Sequence, residues 1–243
     1  MDFPLFHLDF TGNRMMVAVI AIIHVLINHA LAVGFMPLVT LMEFRGYQKK
    51  KLSIEEGVAW DDMAYKLLFV AFIITTSLGA LTGVGIWFAA ALANPASIGS
   101  LIRVFYFIWF TEWIIFVLEV VFIMIYFLTW KKAGKSLKRK RRHILFGAGL
   151  SIFSWLTLAI IVGILGFMMD PGSWSEQKTL LSGFLNPIYI PQVVFRTGVA
   201  VMMGGCVALM ITAYAMKRTN RYKSSILRNI SIWILIWMPV AAV

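Results

Sequence analysis

The chain has 243 residues, of which 60% are hydrophobic and 14% charged, with a mean hydropathy of +0.85. This balance excludes a water-soluble domain of that size and leaves little chain for anything outside a bilayer. The net charge of +11 points to nucleic acid only until the basic residues are placed: they gather at the ends of apolar runs, and no aromatic residues interleave with them as single-strand binding requires.

A helix needs about 20 apolar residues to cross roughly 30 Å of hydrocarbon. Five long runs and a shorter sixth meet that requirement, so the sequence predicts an all-α polytopic bundle, a single membrane domain over residues 1–243, with spans at about 15–42, 66–93, 103–130, 144–169, 190–216 and 225–243. The first run is too long for the apolar part of a signal peptide and no small-residue cleavage pattern follows it, so it is expected to be retained. It carries His24 and His29 and closes on Glu43.

The second run carries a small-residue stripe, Gly79, Thr82, Gly83 and Gly85, suited to close helix contact or to a flat cofactor. The third holds Glu112 and Glu119. After it comes the densest basic run, Lys138-Arg139-Lys140-Arg141-Arg142, placed where anionic lipid headgroups would meet it. The fifth run contains Arg196 near its start and Cys206, the single cysteine, which excludes an intrachain disulfide. No CxxC or CxxCH signature is present. Trp113, Trp130, Trp174, Trp233 and Trp237 fall mostly near span ends and read chiefly as interfacial anchors. The sixth run ends at Trp237-Met238-Pro239-Val240-Ala241-Ala242-Val243 without a polar flank, which leaves open whether the sequence continues past Val243.

Charge sets the predicted orientation. Eighteen of the 22 Lys and Arg lie within residues 45–66, 131–142 and 217–228, whereas Arg14, Arg103, Lys178 and Arg196 lie on the other side or inside a span. The first group is expected to be cytoplasmic, which puts the N-terminus outside.

Ionisable residues inside spans are the strongest functional clues, because a charge at mid-bilayer costs about 3 kcal/mol on insertion scales. His24 lies ten residues inward from Arg14, and Glu112 nine inward from Arg103. At ~1.5 Å per residue both sit roughly 13 to 15 Å below the outer boundary, a depth at which packed helices would offer imidazole and carboxylate to one haem iron. The alternative is two buried polar residues paired across helices. Glu119 follows Glu112 by seven residues, two turns, so both carboxyls share a face and suggest a proton ladder from the cytoplasmic side; two independently satisfied carboxylates are the alternative. His29, five residues deeper than His24, is expected to be structural, or a substitute ligand if the helix is irregular near Asn28.

With these residues placed, the chain resembles subunit I of the cytochrome bd quinol oxidases from the first span through the fifth. The resemblance rests on His24 followed by the Gly34 to Met42-Glu43 segment, on Gly79-x-x-Thr82-Gly83, on Glu112-x6-Glu119, on Met169-Asp170-Pro171 and on Leu185-Asn186-Pro187. It implies that His24 ligates the iron of one haem of b or d type, that Glu112 lies at that haem, and that Glu119 belongs to a proton path. It also implies residence in the bacterial or archaeal cytoplasmic membrane. Three departures stand out. No histidine lies near Phe195 or Arg196, where the family ligates its low-spin haem b; Arg196 cannot ligate iron but suits a haem propionate. The family's later ligands and its quinol-binding loop have no counterpart here. His24 stands one residue further from Gly34 than the family pattern, which requires a local bulge.

The expected function is a haem-binding subunit of a bd-type respiratory electron-transfer complex, an oxidoreductase reducing oxygen with cytoplasmic protons. Its expected partners are lipid, a second bd-like subunit and an electron-donating cytochrome or iron-sulfur subunit, with no nucleic acid. A non-catalytic membrane scaffold that has lost its haems is the alternative. A proton or ion transporter would require interrupted helices in corresponding spans, and Pro37 and Pro191 do not occupy equivalent places.

Overall fold

The structure is a computed structural model and describes residues 9, 10 and 12–242. Six helices are long and apolar enough to cross a membrane: α1 Asn13–Lys49, α2 Ile54–Ala93, α4 Tyr106–Ala133, α5 Leu137–Met169, α8 Tyr189–Ala215 and α9 Lys223–Ala241. Short helices α3 Pro95–Val104, α6 Trp174–Gln177 and α7 Leu180–Phe184 lie between them at the end of the bundle away from the basic loops. No strand occurs among the described residues. The all-α bundle of six spans expected from the apolar runs is therefore present.

Local chemistry explains where the helices stop. Ser53 caps α2, its hydroxyl accepting from the Glu56 amide, and Glu55 and Glu56 place negative charge in the first turn, where the helix dipole favours it. Asn94 ends α2 and caps α3, accepting from the Ser97 amide at 3.1 Å, with Pro95 in the first turn, where a missing N–H costs nothing. Beyond α5 the Asp170 carboxylate accepts from the Gly172 amide at 2.9 Å, and Gly172 adopts a φ of 53°, a left-handed conformation natural to glycine.

Two helices are interrupted by π-helical turns, His29–Gly34 in α1 and Thr75–Gly79 in α2. A π turn accommodates one residue more than an α turn without breaking the helix. The first therefore supplies the bulge demanded by the extra residue between His24 and Gly34, and it begins one residue after Asn28.

Between helices in a bilayer the lipid is as apolar as leucine, so close backbone packing has to hold the bundle. The π turn of α1 lies directly against α8: a Cβ on Gly34 would run into the Ala200 carbonyl, and one on Gly204 would stand 2.6 Å from the Gly34 carbonyl carbon. α8 packs along α9, α4 along α5, and the two halves of α1 against the two halves of α2. The tightest core lies toward the basic end, where Phe35, Met36, Val39, Ala64, Leu67 and Leu68 are fully buried. Trp130 also belongs to that core rather than to an interfacial belt.

Candidate functional site

His24 projects from the outer half of α1 onto the π turn of α2. Its Nδ1 lies 3.2 Å from the Gly79 carbonyl oxygen and 3.1 Å from Thr82 Oγ1. The Gly79 carbonyl only accepts and so calls for the proton on Nδ1, which leaves Nε2 as the acceptor nitrogen of that tautomer. The Asn28 amide covers the ring edge, 3.1 Å from Nδ1 and 3.4 Å from Nε2, and donates to the His24 carbonyl at 3.0 Å. Glycine opposite allows this close approach: a Cβ on Gly83 would come within 3.0 Å of the imidazole, and one on Gly79 within 3.1 Å of the Asn28 side chain. The first histidine and the Gly-x-x-Thr-Gly stripe, read from the sequence as separate motifs, form one contact.

His29 lies in the π turn, 9% exposed, hydrogen-bonded through its ring to the Val25 carbonyl and within electrostatic reach of Arg196. Its Nε2 is buried with no hydrogen-bond partner. Arg196 is half-buried on α8 and donates from Nε to Gln192 Oε1 at 2.8 Å. His29 and Arg196 are thus neighbours, which their 167-residue separation does not suggest.

The carboxylates lie on α4. Glu119 accepts from Ser154 Oγ at 2.7 Å and from Thr157 Oγ1 at 3.1 Å, both on α5. Glu112 stands two turns away on the same helix and is partly exposed. No hydrogen bond joins His24 to Glu112. The outer half of α1 packs chiefly on the outer half of α2, whose Trp87 meets Trp109 of α4 with ring centroids 4.8 Å apart. The two expected site residues therefore flank the outer part of α2 instead of sitting on directly packed helices.

A second polar centre escaped the sequence reading. Glu43, expected merely to close the first span, is fully buried; it accepts from Tyr126 Oη at 2.7 Å, forms an ion pair with Lys140 Nζ at 2.8 Å and lies 2.6 Å from His143 Nδ1. Lys140 also pairs with Asp61 and stands 4.2 Å above the Trp130 ring. Lys140 is consequently not a headgroup contact like its neighbours: Lys138, Arg139, Arg141 and Arg142 are exposed, whereas Lys140 turns inward. The available signal was periodicity. Lys140, His143, Gly147, Leu150 and Ser154 recur at three- and four-residue spacings and form the buried stripe of α5.

Of the other motifs, Met169-Asp170-Pro171 and Leu185-Asn186-Pro187 also meet. A Cβ on Gly172 would stand 2.6 Å from the Pro187 ring, and Asn186 Nδ2 donates to the Gly163 carbonyl of α5 at 3.0 Å.

The residues fit a haem by donor chemistry. An imidazole whose Nδ1–H is fixed on a backbone carbonyl presents Nε2 as iron ligands do. The orphaned Nε2 of His29 is a second such donor, and the Arg196 guanidinium within electrostatic range of it matches a propionate in chemistry.

The fold is similar to that in the structure of bd oxidase from Geobacillus thermodenitrificans, with a TM-score of 0.72, 19% sequence identity, and coverage of 97% of this chain and 54% of that one. The chain thus spans about half the length of that solved relative. A search of curated proteins finds no match. The model of the cytochrome bd terminal oxidase subunit I family matches residues 13–243, and the six helices, the joined motifs and that match together make this integral membrane protein a member of the family.

Proposed function

We propose that the chain is a haem-binding subunit of a bd-type respiratory complex in the bacterial or archaeal cytoplasmic membrane, supporting the reduction of oxygen with protons drawn from the cytoplasm. The observation that supports this reading is the setting of His24: its Nδ1 meets the Gly79 carbonyl, and its Nε2, which faces the Asn28 amide at 3.4 Å, is the nitrogen that would ligate iron, in the role the family resemblance implies. Bound there, a haem of b or d type supplies the electron transfer and oxygen chemistry.

The chain's own residues have other tasks. His24 holds the iron, with His29 as the substitute, and Arg196 neutralises a propionate. Glu119, held by two hydroxyls, receives protons from the basic side of the bundle, and Glu112, two turns further on, delivers them toward the reacting end. Electrons arrive from a partner, either a cytochrome or an iron-sulfur subunit, with a second bd-like subunit completing the membrane part.

Arg196, standing where the family carries a low-spin haem ligand, favours a second reading, a membrane scaffold without haem. A reduced-minus-oxidised optical spectrum of the isolated complex, taken with and without carbon monoxide and with haem extraction, decides between them. A carbon-monoxide-sensitive high-spin haem carried by this chain is the expected result; a chain without haem leaves the scaffold.

A further inference from the structure

The buried cluster around Glu43 opens to the basic end of the bundle. A cavity of about 180 Å³, room for several waters, is lined there by Gly46, Tyr47, Lys50, Ser136, Asp61 and Lys140, and the last two belong to the cluster. Four helices meet at this point: α1 brings Glu43, α2 Asp61, α4 Tyr126, and α5 Lys140 and His143.

The hydrogen-bond geometry requires one proton in the contact between His143 and Glu43. His143 Nε2 lies 2.8 Å from the Tyr126 carbonyl oxygen, which only accepts, so Nε2 is protonated. His143 Nδ1 and Glu43 Oε1 lie 2.6 Å apart, and that contact contains a proton whether it resides on the imidazole or on the carboxyl. The charges agree. Glu43 and Asp61 contribute two negative charges, Lys140 one positive, and the shared proton brings the buried group to neutrality. Without that proton the buried group would carry a net negative charge in a low dielectric.

A polar stripe continues inward from the cluster toward Glu119. Tyr126 Oη donates to Glu43 Oε2 and is also within hydrogen-bonding reach of Thr40. Gly147 is the contact point of the two, since a Cβ there would stand 2.6 Å from Thr40 Oγ1 and 2.8 Å from the Tyr126 ring. One turn further along α5, Ser151 Oγ donates to the Gly147 carbonyl at 2.8 Å, and after it comes Ser154, bonded to Glu119. From Gly147 to Ser154 is about 10 Å along the axis, a gap that Ser151 and one or two waters span.

We propose that the cavity with Asp61, Lys140, Glu43, His143 and Tyr126 is the proton-loading site of this chain, feeding Glu119 through Thr40, Ser151 and Ser154. A proton relayed from the basic side through cavity water joins the cluster as Glu43 passes one to Tyr126 Oη, which hands its own to Thr40 Oγ1; Thr40 turns its hydroxyl from the Met36 carbonyl to pass a proton on, and the last one ends on the Glu119 carboxylate. One proton enters for each one passed on, and the hydroxyls regain their starting hydrogen bonds by turning back. This inference rests on the reading of Glu119 as a proton-transfer residue.

The test measures proton uptake from the basic side of the assembled complex during turnover, with the haem spectrum as the control for assembly. Glu43→Gln is expected to slow uptake at least tenfold with an unchanged spectrum, as Glu119→Gln does, and the double variant to be no slower than the slower single, as for two points on one path. A readout independent of turnover accompanies it: a deuterium-sensitive carboxyl band in the infrared pH-difference spectrum, lost in Glu43→Gln. Normal uptake and an unchanged band in Glu43→Gln, with Glu119→Gln slow, would overturn the loading site and leave the cluster as a tether between helices. Normal uptake in Glu119→Gln overturns the underlying reading instead. If Glu43→Gln does not assemble, Ser151→Ala and Asp61→Asn decide by the same criterion, slowed uptake supporting the site and normal uptake overturning it.

Discussion

Lys138 and Lys140 stand two residues apart in one basic run, and the fold gives them opposite surroundings. The first is solvated, while the second is the counter-charge of two carboxylates inside a four-helix junction. Removing one partner of a buried ion cluster leaves an uncompensated charge, at a cost of about 3–5 kcal/mol, whereas a surface lysine is worth within ~0.5 kcal/mol. Lys140→Ala is therefore expected to lower the thermal unfolding temperature of the detergent-purified protein markedly, and Lys138→Ala to leave it unchanged. The two histidines invite a similar contrast. His24→Ala is expected to abolish haem binding while His29→Ala keeps it, as read from haem extraction of each variant. The reverse outcome would move the ligand to His29, whose buried Nε2 has no partner of its own. His24, Glu112 and Glu119 were legible in the sequence because ionisable residues are rare in apolar runs. Lys140 and His143 were not, because they border a basic loop where charge is ordinary and only α5 periodicity marks them as inward.

At the scale of elements, the π turn His29–Gly34 determines what α1 presents. It adds one residue, so the outer half of the helix is rotated relative to the inner half by about 100° compared with a continuous α-helix. The outer half can then place His24 on the Gly79 and Thr82 stripe while the inner half places Glu43 among Tyr126, Lys140 and His143. Deleting Ala32, one residue of the turn, is expected to retain the helical content and the inner core but to rotate His24 off the stripe. Circular dichroism with haem extraction checks this: helix kept and haem lost is the expected pair, and unchanged haem content would show that the rotation does not matter. The family resemblance implied a gap or bulge between His24 and Gly34, the stretch in which the π turn lies. The second π turn, in α2, left no comparable mark.

For the whole molecule, the distribution of Lys and Arg sets the expected orientation, with residues 45–66, 131–142 and 217–228 cytoplasmic and the N-terminus outside. Cysteine labelling in intact cells tests it. In a Cys206→Ala background, Lys135→Cys is expected to resist an impermeant maleimide and Glu176→Cys to react with it; the opposite pattern reverses the topology, and with it the side from which the Glu43 cavity opens. The sequence by itself determined the helical membrane class, the six spans and the motifs of the family, since hydrophobic run length and residue spacing along a helix are local properties. Only the tertiary structure decided which motifs touch. It joined His24 to the Gly79 stripe, Glu119 to Ser154, and Glu43 to residues 83 and 100 positions away, because these hydrogen bonds depend on the rotation and crossing of helices. That rotation is set by small-residue contacts such as Gly34 on Ala200 and by the π turns, which single-helix periodicity does not encode.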